Sequence, residues 1–224
     1  MAKHQIIRDV GQNLLGVLRA EVAAQRVKAK AFLATPTAEF LRKNAPCLVL
    51  YLYDLRPSLQ VRRNEPWTIE EEIVDDKGET HIVKYSRPME MQLRYLLLAH
   101  ADELAEENEL LGLGMSAFHD KPRLKRGEMQ GDSFFSEDDL ALATDTEFTL
   151  ERALSVLGPL GCGGKLAVGY TTNARLFTGK EVGRTRRVRE RHIDVFDPLR
   201  PPPGSVSAKE LGLEAPPPKV VAKK

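Results

Sequence analysis

With 224 residues, 42% of them hydrophobic and 29% charged, and a formal net charge of +1, the chain can bury a real core and has no global field that would draw it to nucleic acid or an anionic membrane. Two cysteines, Cys47 and Cys162, supply neither a disulfide framework nor a set of zinc ligands, so a reducing cytoplasm is the default expectation. The first residues lack an apolar run of signal-peptide length. No later stretch approaches the roughly 18 uncharged apolar residues of a membrane span, the longest candidate (residues 93–101) being interrupted by Arg94 and His100, so a soluble protein made without Sec-type export is expected.

Over residues 5–24, Ile6, Ile7, Val10, Leu14, Val17, Leu18 and Val22 recur at threes and fours, with Arg8, Gln12, Arg19 and Glu21 between them. That spacing predicts an amphipathic helix seated on a sheet. Gly11 and Gly16 each lower its intrinsic propensity by roughly 1 kcal/mol, so packing has to hold it. Val27, Ala29, Ala31 and Leu33 then alternate with Lys28, Lys30 and Phe32 up to Pro36, which predicts a strand with one wetter face near a sheet edge. Residues 47–53 are all apolar or aromatic and lie between Pro46 and Pro57, a run too short for a stable helix but right for a strand covered on both faces. It is expected to be the central strand, with Leu48, Leu50 and Leu52 on one side and Cys47, Val49, Tyr51 and Tyr53 on the other.

Residues 69–74 and 79–85 are two β-prone runs flanking Asp75, Asp76, Lys77 and Gly78, which predicts a polar hairpin able to project as an arm. After Pro88, Met89, Met91, Leu93, Tyr95 and Leu97 alternate with Glu90, Gln92 and Arg94, the signature of a second inner strand. A helix capped by Asp102 or a neighbour follows, with Leu104, Leu111, Met115 and Phe118 on its buried face and Glu103, Glu106 and Glu107 near its positive start. Residues 120–132 read as a loop and residues 140–144 as a short strand. Thr149 can cap a helix running to Leu157 and ended by Gly158 and Pro159, and residues 165–172 make a further strand with Leu166, Val168 and Tyr170 on one face. A last β-like run occupies residues 185–196. Beyond it, prolines scattered among Lys, Ala, Gly and Ser predict a flexible tail, so the chain divides into a domain at 1–197 and a tail at 198–224. The fold expected is α+β: a mixed, mainly antiparallel sheet packed by about three helices, with a hairpin arm.

No constellation of catalytic type emerges. Residues 158–166 resemble a phosphate-binding loop but fail its pattern, with Pro159 where a glycine is required, Leu166 in place of Ser or Thr, and a preceding helix where a strand belongs. His4, His81, His100, His119 and His192 show no metal-ligand spacing; His119 and Asp120 have no serine or cysteine elbow to complete a hydrolase site, and loop histidines are the expectation. The carboxylate pairs, among them Glu106 and Glu107 and Asp138 and Asp139, sit in polar runs where solvation is the ordinary reason. No catalytic residue, cofactor or metal is therefore expected. The one concentrated charge cluster is Arg184, Arg186, Arg187, Arg189 and Arg191, of which Arg187, Arg189 and Arg191 share a strand face suited to carboxylates or phosphates. A solvated face, an acidic protein partner and a nucleic-acid-binding module are its three readings, the last without interleaved aromatics for base stacking.

The chain resembles the cap, or tail-terminator, proteins of phage-tail-like contractile injection systems, the group of antifeeding prophages and Photorhabdus virulence cassettes. The likeness is carried by Asn44, Ala45 and Pro46 leading into Leu50, Tyr51, Leu52, Tyr53, Asp54 and Leu55, then by Arg63 and Asn64, by Leu93 to Ala99, and by the acidic helix start leading to Leu110, Leu111, Gly112 and Met115. It departs from the family at Leu154 and Val156, where a tryptophan is common, and at residues 161–164. The resemblance implies a homohexameric ring on the end of the inner tube and sheath farthest from the baseplate, with no catalysis and no small-molecule substrate, in a particle assembled in the cytoplasm and able to leave the cell. Candidate contacts to neighbours are Arg184, Arg186, Arg187, Arg189, Arg191, Trp67, Lys77, His81 and Tyr85. The candidate core is Leu48, Leu50, Leu52, Tyr53, Leu93, Tyr95, Leu97, Leu111 and Met115.

Overall fold

A computed structural model describes residues 3–57, 68–74 and 80–186, the side chains of Ile69 and Arg186 excepted. In chain order it runs α1 (Ile6–Ala24), β1 (Lys30–Leu33), α2 (Ala38–Asn44), β2 (Cys47–Pro57), β3 (Thr68–Val74), β4 (Thr80–Ser86), β5 (Met89–His100), α3 (Leu104–Asp120), β6 (Arg123–Lys125), a single 3-10 turn, β7 (Asp139–Thr144), α4 (Leu150–Leu157), β8 (Ala167–Leu176) and β9 (Glu181–Arg186). Six strands form a main sheet in the order β1-β2-β5-β8-β7-β6, and three form a small sheet in the order β3-β4-β9. Within the main sheet β1 and β2 pair in parallel, whereas β2 with β5, β5 with β8, β7 with β8 and β6 with β7 are antiparallel. The expected mixed, mainly antiparallel α+β fold is what forms, with four helices in place of about three.

The two faces of β5 carry two different cores. Met91, Leu93, Tyr95, Leu97 and Ala99 join Leu48 and Leu50 of β2 beneath α1 and α3, while Leu96 and Leu98 join Cys47 and Val49 beneath Leu41 of α2 and Leu157 of α4. The alternation expected for β2 is thus observed, although β2 is second from the sheet edge and β5 is the more central strand. Leu48, Leu50, Leu93, Tyr95, Leu97 and Leu111 are buried; Leu52 and Tyr53 are half-buried and packed against opposite cores. At roughly 1.5–3 kcal/mol for each fully buried large apolar side chain, this sheet carries most of the fold's stabilisation.

Met115 is a correction: it is 42% exposed, as is Leu104 at 70%. The buried face of α3 runs through Glu107, Leu110, Leu111, Gly114, Ala117 and Phe118, and the helical repeat places 104 and 115 just off its flank. Gly114 sits at the centre of that face because a Cβ there would lie 2.9 Å from Leu97 Cδ2. Gly11 plays the same part in α1, where a Cβ would come within 2.7 Å of Leu33 Cδ2. Both glycines therefore allow close approach of helix to sheet.

Other differences have local causes. Helix α2, unforeseen, starts at Thr37, whose side chain accepts from the Phe40 N–H. Asp102 does not cap α3, whose N-cap is Glu103, without a side-chain bond. Within residues 120–132, β6 pairs with β7, and the following turn is pinned to α1 by Asn13, which donates to the Gln130 carbonyl at 2.8 Å and accepts from its N–H at 2.8 Å. Leu166 precedes β8 and is exposed, and β8 continues to Leu176. The last strand begins at Glu181 rather than Thr185. Asp138 is largely buried against Arg175 and Glu107 is buried, so these two carboxylates are not solvated. Of the histidines, His81, His100 and His119 lie in β4, β5 and α3 rather than in loops. The tail at 198–224, with Trp67, Lys77, Arg187, Arg189, Arg191 and His192, lies outside the described residues.

Helix α1 ends in a left-handed residue, Arg26, with φ 55°, while the Val27 N–H reaches the Val22 carbonyl at 3.2 Å. Glycine usually holds this position, because a Cβ there costs roughly 1 kcal/mol. Arg26→Gly is expected to stabilise the fold by about 0.5 kcal/mol, read as a higher urea midpoint at unchanged slope.

Candidate assembly interface

The small sheet is an outgrowth of the two central strands. β5 pairs with β8 from Leu98 opposite Ala167 down to Met89 opposite Leu176, and just beyond that end the chain is β4 on one side and β9 on the other. The Ser86 N–H donates to the Lys180 carbonyl at 2.8 Å, and Tyr85 packs edge-on against Phe177, their ring centroids 5.5 Å apart. Phe177 in turn meets Phe135 at 5.4 Å. The predicted hairpin is present, β3 and β4 running antiparallel from Thr68 opposite Ser86 to Val74 opposite Thr80. Its outer strand β3 exposes Glu70, Glu71 and Glu72, followed by Ile73 and Val74.

Of the predicted contact residues, the structure brings His81, Tyr85 and Arg184 together on this sheet, with the backbone of Arg186. Tyr85 is half-buried against Phe177, and the Arg184 guanidinium is bound by Glu181 at 3.1 and 3.2 Å. The rest of the arginine row lies outside the described residues, and no observation favours nucleic acid.

What sequence reading missed is a charged clamp between the main sheet and α4. A β-bulge between Leu52 and Asp54 slips the register, so that Leu52 faces Tyr95 and Asp54 faces Arg94. The bulge turns both Tyr53 and Asp54 toward α4. Tyr53 donates its hydroxyl proton to Asp145 at 3.0 Å, and Arg94 bridges Asp145 at 3.2 Å and Glu147 at 2.8 Å. Arg152 of α4 binds Asp54 at 3.0 Å and lies over the Tyr53 ring. Hydrogen bonding to Glu147 and the charge of Asp145 hold Arg94 in its cationic form against the cost of burial; burial and Asp145 push the Tyr53 phenol up. Every group here already has a partner. An arginine in a strand otherwise read as inner was the signal that could have found the clamp.

A second polar set closes the other end of the sheet. Lys165 bridges Glu107 and lies 2.9 Å from His100 Nδ1, tying the glycine-rich turn to α3. Beneath it, burial pushes the Cys47 thiol up to about 11, and Cys162 donates to the Pro36 carbonyl at 2.9 Å. Neither thiol is poised as a nucleophile. Among the described residues, no cluster of His, Cys, Asp and Glu could hold a metal ion, and no helix is long and apolar enough to cross a membrane.

A sequence model of the Pvc16 N-terminal domain matches residues 9–188. The chain belongs to that family. No curated protein matches. Among solved structures, the sheath/tube terminator of the PVC extracellular contractile injection system, in its extended state, superposes with a TM-score of 0.58 at 15% identity, over 92% of this chain and 67% of that one. The tube-terminating cap of the anti-feeding prophage does so with a TM-score of 0.59 at 15% identity, over 88% of this chain and 66% of that one. The chain thus shares the fold of two terminators and spans about two thirds of the length of each.

Two variants test the internal part of this architecture. Arg94→Met strands the buried Asp145 carboxylate and should cost about 3 kcal/mol, most of it recovered by adding Asp145→Asn, as read from chemical denaturation. For Cys47 the folded value lies above the ordinary 9.0, so the unfolded chain ionises first as pH rises. The thiol's contribution is therefore intact below pH 9 and lost by about pH 11, and Cys47→Ala, less stable at neutral pH, should lose less stability than the parent across that window.

Proposed function

We propose that this chain is the structural cap of a contractile injection system, a subunit of a ring that terminates the inner tube and sheath at the end distal to the baseplate. The observation that carries the reading is the family match over residues 9–188, on a fold shared with two terminators of such particles. The physical demand is one of shape and contact and requires no catalysis. A helical stack of rings adds subunits without limit unless one component matches the stack on one face and lacks the adhesive surface on the other. Such work is done by binding free energy spread over repeated interfaces, and six copies of this chain around the tube would supply it.

In this reading the hairpin formed by β3 and β4, the arginine row continuing past β9, and residues 198–224 contact neighbouring subunits, tube or sheath. Assembly takes place in the cytoplasm, in a particle that can be released. The test is to produce the particle genes with and without this chain and measure lengths by negative-stain microscopy. Without it, tubes of widely scattered length and sheaths that fail to stay extended are expected. Particles of unchanged length and intact distal ends in its absence would overturn the proposal.

A further inference from the structure

Among the described residues the main sheet stops at β1, whose outer side has no strand neighbour. Beside it, between β1 and the end of α1, runs a groove of about 530 Å³ with Val22, Val27 and Phe32 among its apolar walls and Arg19, Arg26 and Lys30 as its cations. Arg19 Nε donates to the Ala31 carbonyl at 3.3 Å. Arg26 and Lys30 have no carboxylate partner among the described residues. The fold would favour glycine at Arg26, where φ is 55°, so the arginine there carries a cost in strain that the helix end does not require. Three exposed cations on one groove, two of them without counter-charge, call for an acidic occupant.

We infer that this groove receives β3 of the next copy of the chain, the acidic edge of one small sheet docking on the basic edge of the neighbouring main sheet. The inference rests on the ring reading above and names the two surfaces that join its subunits. β3 carries three successive exposed carboxylates, Glu70, Glu71 and Glu72, of which Glu70 pairs with Lys84 of β4 at 2.8 Å, followed by Ile73 and Val74, which are 36% and 64% exposed and match the apolar walls. Among the described residues it is also an edge strand of its sheet. Other acidic surfaces fit less well. Glu103 and Glu106 sit at the start of α3, whose partial positive charge they offset, and Asp138 is largely buried against Arg175. Residues 187–224 are net basic and carry the wrong sign. Because groove and strand are different patches, the contact is heterologous, the kind that closes into a ring when the rotation between neighbours permits.

The test uses the full chain, sized by light scattering and negative-stain microscopy. Arg26→Glu with Lys30→Glu, and separately Glu71→Lys with Glu72→Lys, should each raise the concentration at which the oligomer dissociates by about tenfold or more. All four changes in one chain should restore assembly, since every subunit then carries both reversed surfaces. Arg26→Gly, which should melt no lower than the parent, should also weaken assembly, separating docking from folding. Single-surface reversals that leave the oligomer intact would overturn the inference and spare the ring; a parent chain that remains monomeric at all concentrations would overturn both. Loss of a labelled DNA oligonucleotide from the Arg26→Glu, Lys30→Glu variant, with oligomer size unchanged, would make the groove a nucleic-acid site and likewise overturn it.

Discussion

The structure depends on β5 being covered on both faces and paired along both edges. Its odd-numbered residues hold α1 and α3, Leu96 and Leu98 hold the α2 and α4 side, and its ladder to β8 leads into the arm. Because side chains alternate strictly along a strand, a slip of one residue would exchange the two cores. The register must therefore be fixed by something other than hydrophobicity, since both faces are apolar over Tyr95 to Ala99.

The charged clamp fixes it. Arg94 reaches both Asp145 and Glu147 from its place in the ladder, and the bulge at Tyr53 presents a hydroxyl to the same Asp145. A buried ion pair contributes little net stability over apolar replacements, but misplacing one partner leaves an unpaired charge in the interior. The clamp thus penalises the slipped ladder more than it rewards the correct one. The contacts made by Lys165 at the opposite end, to Glu107 and His100, act on the same sheet from the other side.

How much of this was legible in the sequence follows from the range of each interaction. Strands β2 and β5, helix α1 and the hairpin were readable because their periodicities are local and long. The bulge was not, since it is the partner strand that makes Tyr53 the extra residue. The exposure of Met115 was hidden because Gly114 is the point at which α3 touches Leu97, a contact that no local pattern announces. Asp145 and Glu147 were invisible as partners of Arg94 because about fifty residues separate them in the chain. The interface residues divide along the same line: Tyr85, chosen for projection, is half-committed to Phe177, whereas the groove by β1 drew no notice because Arg19, Arg26 and Lys30 converge only when α1 packs beside the edge strand.

The sheet edges bear on the proposed role. A sheet with free edges invites further strands, and a component that ends a stack cannot offer an open template. Here β1 has four residues and β6 only three, too few for a long ladder, and Arg19 already occupies the outward Ala31 carbonyl. The longer edge β3 carries three successive carboxylates, so two copies of β3 would repel one another. Charge and brevity thus disfavour the pairing of β1, β3 or β6 with its own copy, as the heterologous contact proposed above requires.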